Sequence, residues 1–271
     1  MGHDREGAIL KDAAERDTAT TRGVALLMGD PKKAIVKLSG PMIVAMLLMS
    51  TYNLVNAIWV AGLGSDALAA VGFVTPLFMI LIGTGSGLGA GAASVISRRI
   101  GAKDKAGADN AAVHALLLTL VLSAVMTIPL ILLTGPIVTL FGAGETAGRA
   151  MAYGQVVFLG MALILFTNIG YAILRAEGDT RRAMYAMGAS AILNMVLDPI
   201  LIYTAGMGIA GAAWGMLISL LVVSAVMLYW FLVKKDTYVT ISRRAFSFNH
   251  GTLRDILGVG LPASVEFFLM S

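Results

Sequence analysis

The 271-residue chain contains no cysteine. Disulfides, a thiol nucleophile and Cys-ligated metal centres are thereby excluded. Histidine is scarce as well: His3, His114 and His250 are scattered and form no ligand cluster. Charge is the third shortage. Asp, Glu, Lys and Arg make up 13% of the residues, against about 25% in soluble domains. A soluble protein of this size needs a polar skin that so few charges cannot supply. The N-terminal stretch 1–30 lacks an apolar segment of signal-peptide length, and Glu6 stands where myristoylation needs Ser or Thr. It reads as a polar cytoplasmic tail.

What the chain does have is apolar residues, 58% of the total, with a mean hydropathy of +0.83. The net charge is only +4, and the basic residues sit in short clusters between apolar runs. That pattern is membrane topology rather than a nucleic-acid patch. Six runs approach the roughly 20 residues needed to cross a bilayer, near 40–61, 67–96, 111–134, 150–174, 183–204 and 209–233. A seventh starts near Ile256 and stops at Ser271, too short to cross, so the chain reads as truncated in its seventh helix. Asp30 and Pro31 form a cap and first-turn pair that predicts a short interfacial helix ahead of the first run.

Lys and Arg alternate between loops. Arg22, Lys32, Lys33 and Lys37 precede span 1, and Arg98, Arg99, Lys103 and Lys105 follow span 2. Arg175, Arg181 and Arg182 follow span 4. Lys234, Lys235, Arg243, Arg244 and Arg254 follow span 6. Against these sixteen, the remaining loops hold only Arg149. The asymmetry predicts a cytoplasmic N-terminus and a six-helix bundle, an all-α membrane fold.

Two acidic residues fall inside apolar runs, Asp198 in run 5 and Glu266 in run 7. A carboxylate at the bilayer centre costs about 2.5–3.5 kcal/mol on insertion scales, so Asp198 needs a partner, a water-filled cavity or a proton. Asn194 lies one turn earlier on the same face. Pro199 follows at once and should bend the helix and free a carbonyl. Carboxylate, amide and carbonyl oxygens together suit Na⁺ or a proton. Elsewhere, Tyr52, Asn53 and Asn56 in span 1, and Tyr153, Asn168 and Tyr171 in span 4, each read singly as interhelical glue. Together they predict a polar cavity between spans. The glycines from Gly83 to Gly91 lack the strand and Lys of a phosphate loop and read as close helix packing. No His/Glu metal pair and no Ser/Lys or Ser/His dyad appears in the spans, which argues against an enzyme.

Five segments in series resemble the multidrug and toxic compound extrusion (MATE) family, in its prokaryotic, archaeal-like branch. They are Tyr52–Gly64 (YNLVNAIWVAGLG), Ser97–Asp109 (SRRIGAKDKAGAD), Ala172–Asp179 (AILRAEGD), Leu193–Tyr203 (LNMVLDPILIY) and Gly260–Pro262 (GLP). The resemblance implies a twelve-span inner-membrane antiporter of two six-helix lobes that exports organic cations or drugs against H⁺ or Na⁺, without an organic cofactor. This chain would supply the first lobe over 31–235, an inter-lobe linker over 236–255 and the opening of the second lobe over 256–271, with the C-terminal lobe and membrane lipid as its partners. The implied cation site comprises Asp198, Asn194, Tyr52 and the span-1 position held here by Asn56, where relatives carry Asp. Met216 occupies a span-6 position where some relatives offer a Thr oxygen. With Asn53, Tyr153, Asn168, Tyr171 and Glu266 it completes the candidate substrate cavity. Asn56 can coordinate Na⁺ but cannot titrate, so Asp198 would carry the proton alone. A lipid-linked saccharide flippase of the same superfamily would need a cationic cavity, and the loop placement of Arg and Lys ranks it lower. A non-transporting half-transporter is the third reading.

Overall fold

Three of the helices that start at the basic end of the molecule are capped by an aspartate. The Asp30 side chain accepts from Lys32 N at 2.9 Å, Asp104 from Gly107 N at 2.8 Å and Asp179 from Arg182 N at 3.1 Å. Each satisfies a backbone donor that the first turn leaves free. At the opposite end the chain turns instead on glycines with positive φ, among them Gly64 and Gly142, which no other residue adopts as cheaply.

In the computed structural model the described residues are 21–242 and 246–270. Positions 1–20 of the expected tail, Arg243, Arg244 and Ser271 lie outside them. The elements are α1 (Arg22–Leu27), α2 (Pro31–Ala61), α3 (Ser65–Gly101), α4 (Lys105–Leu140), α5 (Ala147–Leu159), α6 (Met161–Ala176), α7 (Thr180–Pro199), α8 (Ile209–Leu228) and α9 (His250–Met270). Single π-helical turns extend α7 over Ile200–Thr204 and α8 over Tyr229–Lys234. No strand occurs among the described residues.

Five of these helices are long and apolar enough to span a membrane, and α5 with α6, bent by 48°, makes a sixth span. The bend falls at Gly160, where an added Cβ would run into the Leu217 side chain of α8. Large apolar residues cover the outside: Leu47 and Leu54 on α2, and Leu120, Val125 and Leu132 on α4, are all exposed. This outward apolar skin suits lipid rather than water.

The expected interfacial helix is not separate. From Pro31 to Ala61 the chain is one helix of 31 residues, running through Pro41. Capping at Asp30 fixes its start, and the polar first turns simply continue the apolar span. The short separate helix is α1, capped by Thr21.

α3 is the central column, packed against α4, α6 and, most extensively, α9. Its glycines serve both contacts. Gly87 and Gly91 face α9, where a Cβ would strike Ser264 and the Ile256 carbonyl. Gly85 and Gly89 face Leu165 and Ala172 of α6. α2 packs chiefly on α7, and α7 on α8. A cavity is left between α2 and α6.

Candidate functional site: an intramembrane carboxylate beside a polar cavity

α7 carries Met187, Ser190, Ala191, Asn194 and Asp198 at helical spacing, so they share one face. The first four line a cavity of about 360 Å³. α2 contributes Met49, Tyr52, Asn53 and Asn56, α5 adds Tyr153, and α8 adds Met216. From α6 come Thr167, Asn168, Tyr171 and Arg175. The structure thus brings together eight of the ten residues singled out in the sequence: Tyr52, Asn53, Asn56, Tyr153, Asn168, Tyr171, Asn194 and Met216.

Asp198 lies one turn past Asn194, only 1% exposed. Gly215 of α8 sits against its carboxylate with no room for a Cβ, so the sixth span closes directly over the acid. The end of the Asn194 amide lies 2.7 and 2.9 Å from the two carboxylate oxygens. With its nitrogen turned inward it donates to both. Tyr52 and Tyr153 line the same cavity as Asn194. Asn56 Oδ1 is buried without a hydrogen bond, an oxygen left for a ligand of the cavity.

Pro199 ends the α-helical part of α7, and the chain continues through the π turn to Thr204. Tyr203 on this turn donates to the Trp59 carbonyl of α2 at 2.6 Å, and the two rings meet edge to face. The change at Pro199 is from α to π geometry, and the π turn joins the segment after Asp198 to the span bearing Tyr52 and Asn56.

Glu266 does not join this group. It is exposed on α9 and is not part of the cavity wall; the face that α9 buries carries Ile256 and Gly260. Conversely, Thr167, Ser190 and Arg175 are wall residues the sequence reading left out. Arg175 counted there as a loop cation. Its spacing from Asn168 and Tyr171, seven and four residues, was the available signal, because it continues their face. Thr167 donates to the Leu163 and Ile164 carbonyls and Asn168 to the Ile164 carbonyl. Among the described residues, Arg175 has no carboxylate partner and no three His, Cys, Asp or Glu side chains cluster.

Six candidate spans around a polar cavity with a buried acid beside it define a polytopic membrane protein. Residues 41–200 match the MatE family, and the chain belongs to that family. It is 34% identical over 240 residues to the multidrug export protein MepA of Staphylococcus saprophyticus, covering 88% of this chain and 53% of that protein. MepA of Staphylococcus aureus strain NCTC 8325 is 31% identical over the same length. A crystal structure of a MATE protein in complex with MaL6 superposes with a TM-score of 0.90 at 50% identity, covering 92% of this chain and 56% of that one. A Pyrococcus furiosus transporter of the MOP superfamily, described for the reverse polarity of its binding pocket, matches with a TM-score of 0.89 at 50% identity over 92% of this chain and 55% of that one. The chain spans about half the length of the relatives it matches.

Proposed function

We propose that this chain is the N-terminal lobe of a cation-coupled multidrug efflux antiporter, completed by a second six-span lobe, in a cell membrane with its N-terminus cytoplasmic. Three features support the reading: the family, the multidrug exporters among its relatives, and the asymmetry of basic loops. The observation that carries it is Asp198, buried with Asn194 as its partner at the edge of a cavity lined by tyrosines, asparagines and methionines. Binding of H⁺ or Na⁺ at Asp198 neutralises the carboxylate that Asn194 and Gly215 of α8 lie against. The π turn passes that change to α2 through Tyr203 and Trp59. Drug and ion then compete for two helix arrangements, and exchange follows from the difference in their affinities for each.

Asp198→Asn in the full-length transporter that carries this lobe, assayed for ion-driven efflux from proteoliposomes, is expected to bind substrate and lose coupled transport. Undiminished efflux would overturn the assignment.

Arg175 supports a second reading. A half-buried guanidinium without a carboxylate partner favours anionic or zwitterionic amphiphiles, the chemistry a lipid-linked saccharide flippase needs. The two readings part on Arg175→Gln. Loss of transport confined to anionic substrates favours the second, and unchanged selectivity favours simple organic-cation efflux.

A further inference from the structure

At the basic end, away from the cavity, α1, the start of α2, the α6–α7 turn and the segment after α8 enclose a second cleft of about 660 Å³. Its wall carries four cations, Arg22, Lys37, Arg181 and Arg182, and two acids, Asp179 and Asp236. Both acids are already matched. Asp236 takes a bidentate pair from Arg182 at 2.8 and 2.7 Å and a contact from Lys234 at 3.0 Å. Asp179 caps α7 and meets Arg182 Nε at 3.2 Å. Burial alone would push the Asp236 carboxyl up, but hydrogen bonds from Arg182 and Lys234 hold it below the usual carboxylate range. Arg22, Lys37 and Arg181 are left over. Among the described residues they have no hydrogen bond and no ion pair.

The cleft is built, not incidental. Gly23 of α1 lies against the backbone of Glu177 and Gly178 so closely that a Cβ on either glycine would overlap the other segment. This contact fixes α1 across the α6–α7 turn and aims cations from three separate elements into one space. Leu26 and Leu38 line the same space. Lys37 stands one turn before the apolar run of span 1. Those two leucines put apolar surface directly beside the three cations.

We propose that this cleft binds the headgroup of an anionic phospholipid, its phosphate held by Arg22, Lys37 and Arg181 and its glycerol and first methylenes laid against Leu26 and Leu38. Basic pockets between spans on the side of the basic loops meet the leaflet richest in anionic lipid. A free phosphate would satisfy the three cations but leave Leu26 and Leu38 of the cleft wall uncovered, which is why the lipid is the occupant. Because α2 and α7 both wall the cleft and both carry cavity residues, a bound headgroup would clamp their basic ends together.

The test is native mass spectrometry of the detergent-purified 271-residue chain with phosphatidylglycerol or phosphatidylcholine. Wild type is expected to retain phosphatidylglycerol preferentially. R22Q/K37Q/R181Q is expected to lose that retention by at least about tenfold. R98Q/K103Q/R254Q, which removes as many charges from the same end outside the cleft, is expected to keep it. Equal loss in both triple variants would mean diffuse attraction and overturn the site. Displacement by inorganic phosphate or glycerophosphate as effective as by intact lipid would overturn the lipid assignment. Circular dichroism and melting of each variant check folding. Should the triple variant melt early, the single Arg181→Gln, an exposed position, carries the comparison, and unchanged retention there would count against the site.

Discussion

Glu177 follows α6 at the basic end, outside the spans, and is 1% exposed. Its Oε2 accepts from Val239 N at 3.1 Å, while Oε1 has no partner. Burial pushes its carboxyl up to about 8, with Asp179 adding to the rise and the Val239 and Tyr238 amides and Arg182 opposing it. A neutral carboxyl suits this geometry: one oxygen accepts from the segment after α8 and the other holds the proton. The folded protein therefore binds a proton that the unfolded chain releases near the ordinary value of 4.5. Stability from this group is complete below that value and declines as pH rises toward about 8. The melting temperature of detergent-solubilised protein is expected to fall between pH 5 and pH 9. Glu177→Gln, which mimics the protonated form, should flatten that slope. Glu177→Ala should cost about 1–3 kcal/mol across the range, by orphaning the Val239 amide. A wild-type slope that persists in the Gln variant would refute the role. At this scale the sequence was half legible. Asp198 stood out because an acid in an apolar run has few explanations. Glu177 looked like any loop acid, and Arg175 like any loop cation. Their burial comes from chain segments about sixty residues away and from a neighbouring helix, which no local pattern encodes.

At the scale of elements, the glycines of α3 decide how closely α9 can lie. A glycine inside a helix ordinarily costs about 1 kcal/mol relative to alanine, so Gly→Ala should stabilise wherever space is open. Nothing lies within 4 Å of a Cβ at Gly40, and Gly40→Ala is expected to raise the melting temperature. At Gly91 the same Cβ meets the Ile256 carbonyl and the Gly260 backbone amide. Backbone cannot swing aside as a side chain does, so overpacking of about 1–3 kcal/mol exceeds the propensity gain. Gly91→Ala is expected to lower the melting temperature. Two changes of the same sign would disprove the α3–α9 contact. The small-residue spacing made this packing legible, but not its partner, which depends on where the seventh helix returns. The runs also located the spans to within a few residues while missing their ends. α3 and α4 extend well beyond 67–96 and 111–134, because polar residues at a capped end continue a helix as readily as apolar ones. The break at Gly160 gave no hydropathy signal at all; it is a matter of Leu217 approaching from α8.

At the scale of the whole molecule, the basic end is a folded surface rather than a set of separate loops. Asp109 accepts from Thr240 N at 2.8 Å and from Lys105, and Asn110 donates to the Ser247 carbonyl at 2.8 Å. His114 Nδ1 meets the Asn110 carbonyl at 2.9 Å and Nε2 accepts from Asn249 N at 3.2 Å, which fixes the proton on Nδ1. The segment from α8 to α9 is thus strapped across the starts of α4 and α7. The charges that orient the bundle also build this strap, so the orientation of the chain and the placement of α9 rest on the same residues. Arg175 apart, the described basic residues of the N-terminal segment and even-numbered loops lie at one end, against Arg149 at the other, and by the positive-inside rule the basic end is expected to stay inside. The absence of cysteine makes the matter directly measurable, because any single introduced thiol is the only one in the chain. Ala102→Cys reports the basic end and Glu145→Cys the other, and both positions are exposed. A membrane-impermeant maleimide added to intact cells is expected to label Glu145→Cys at once and Ala102→Cys only after permeabilisation. The reverse pattern would invert the bundle, put the lipid cleft in the outer leaflet and remove the basis for reading Asp198 as a site loaded by an inward cation gradient.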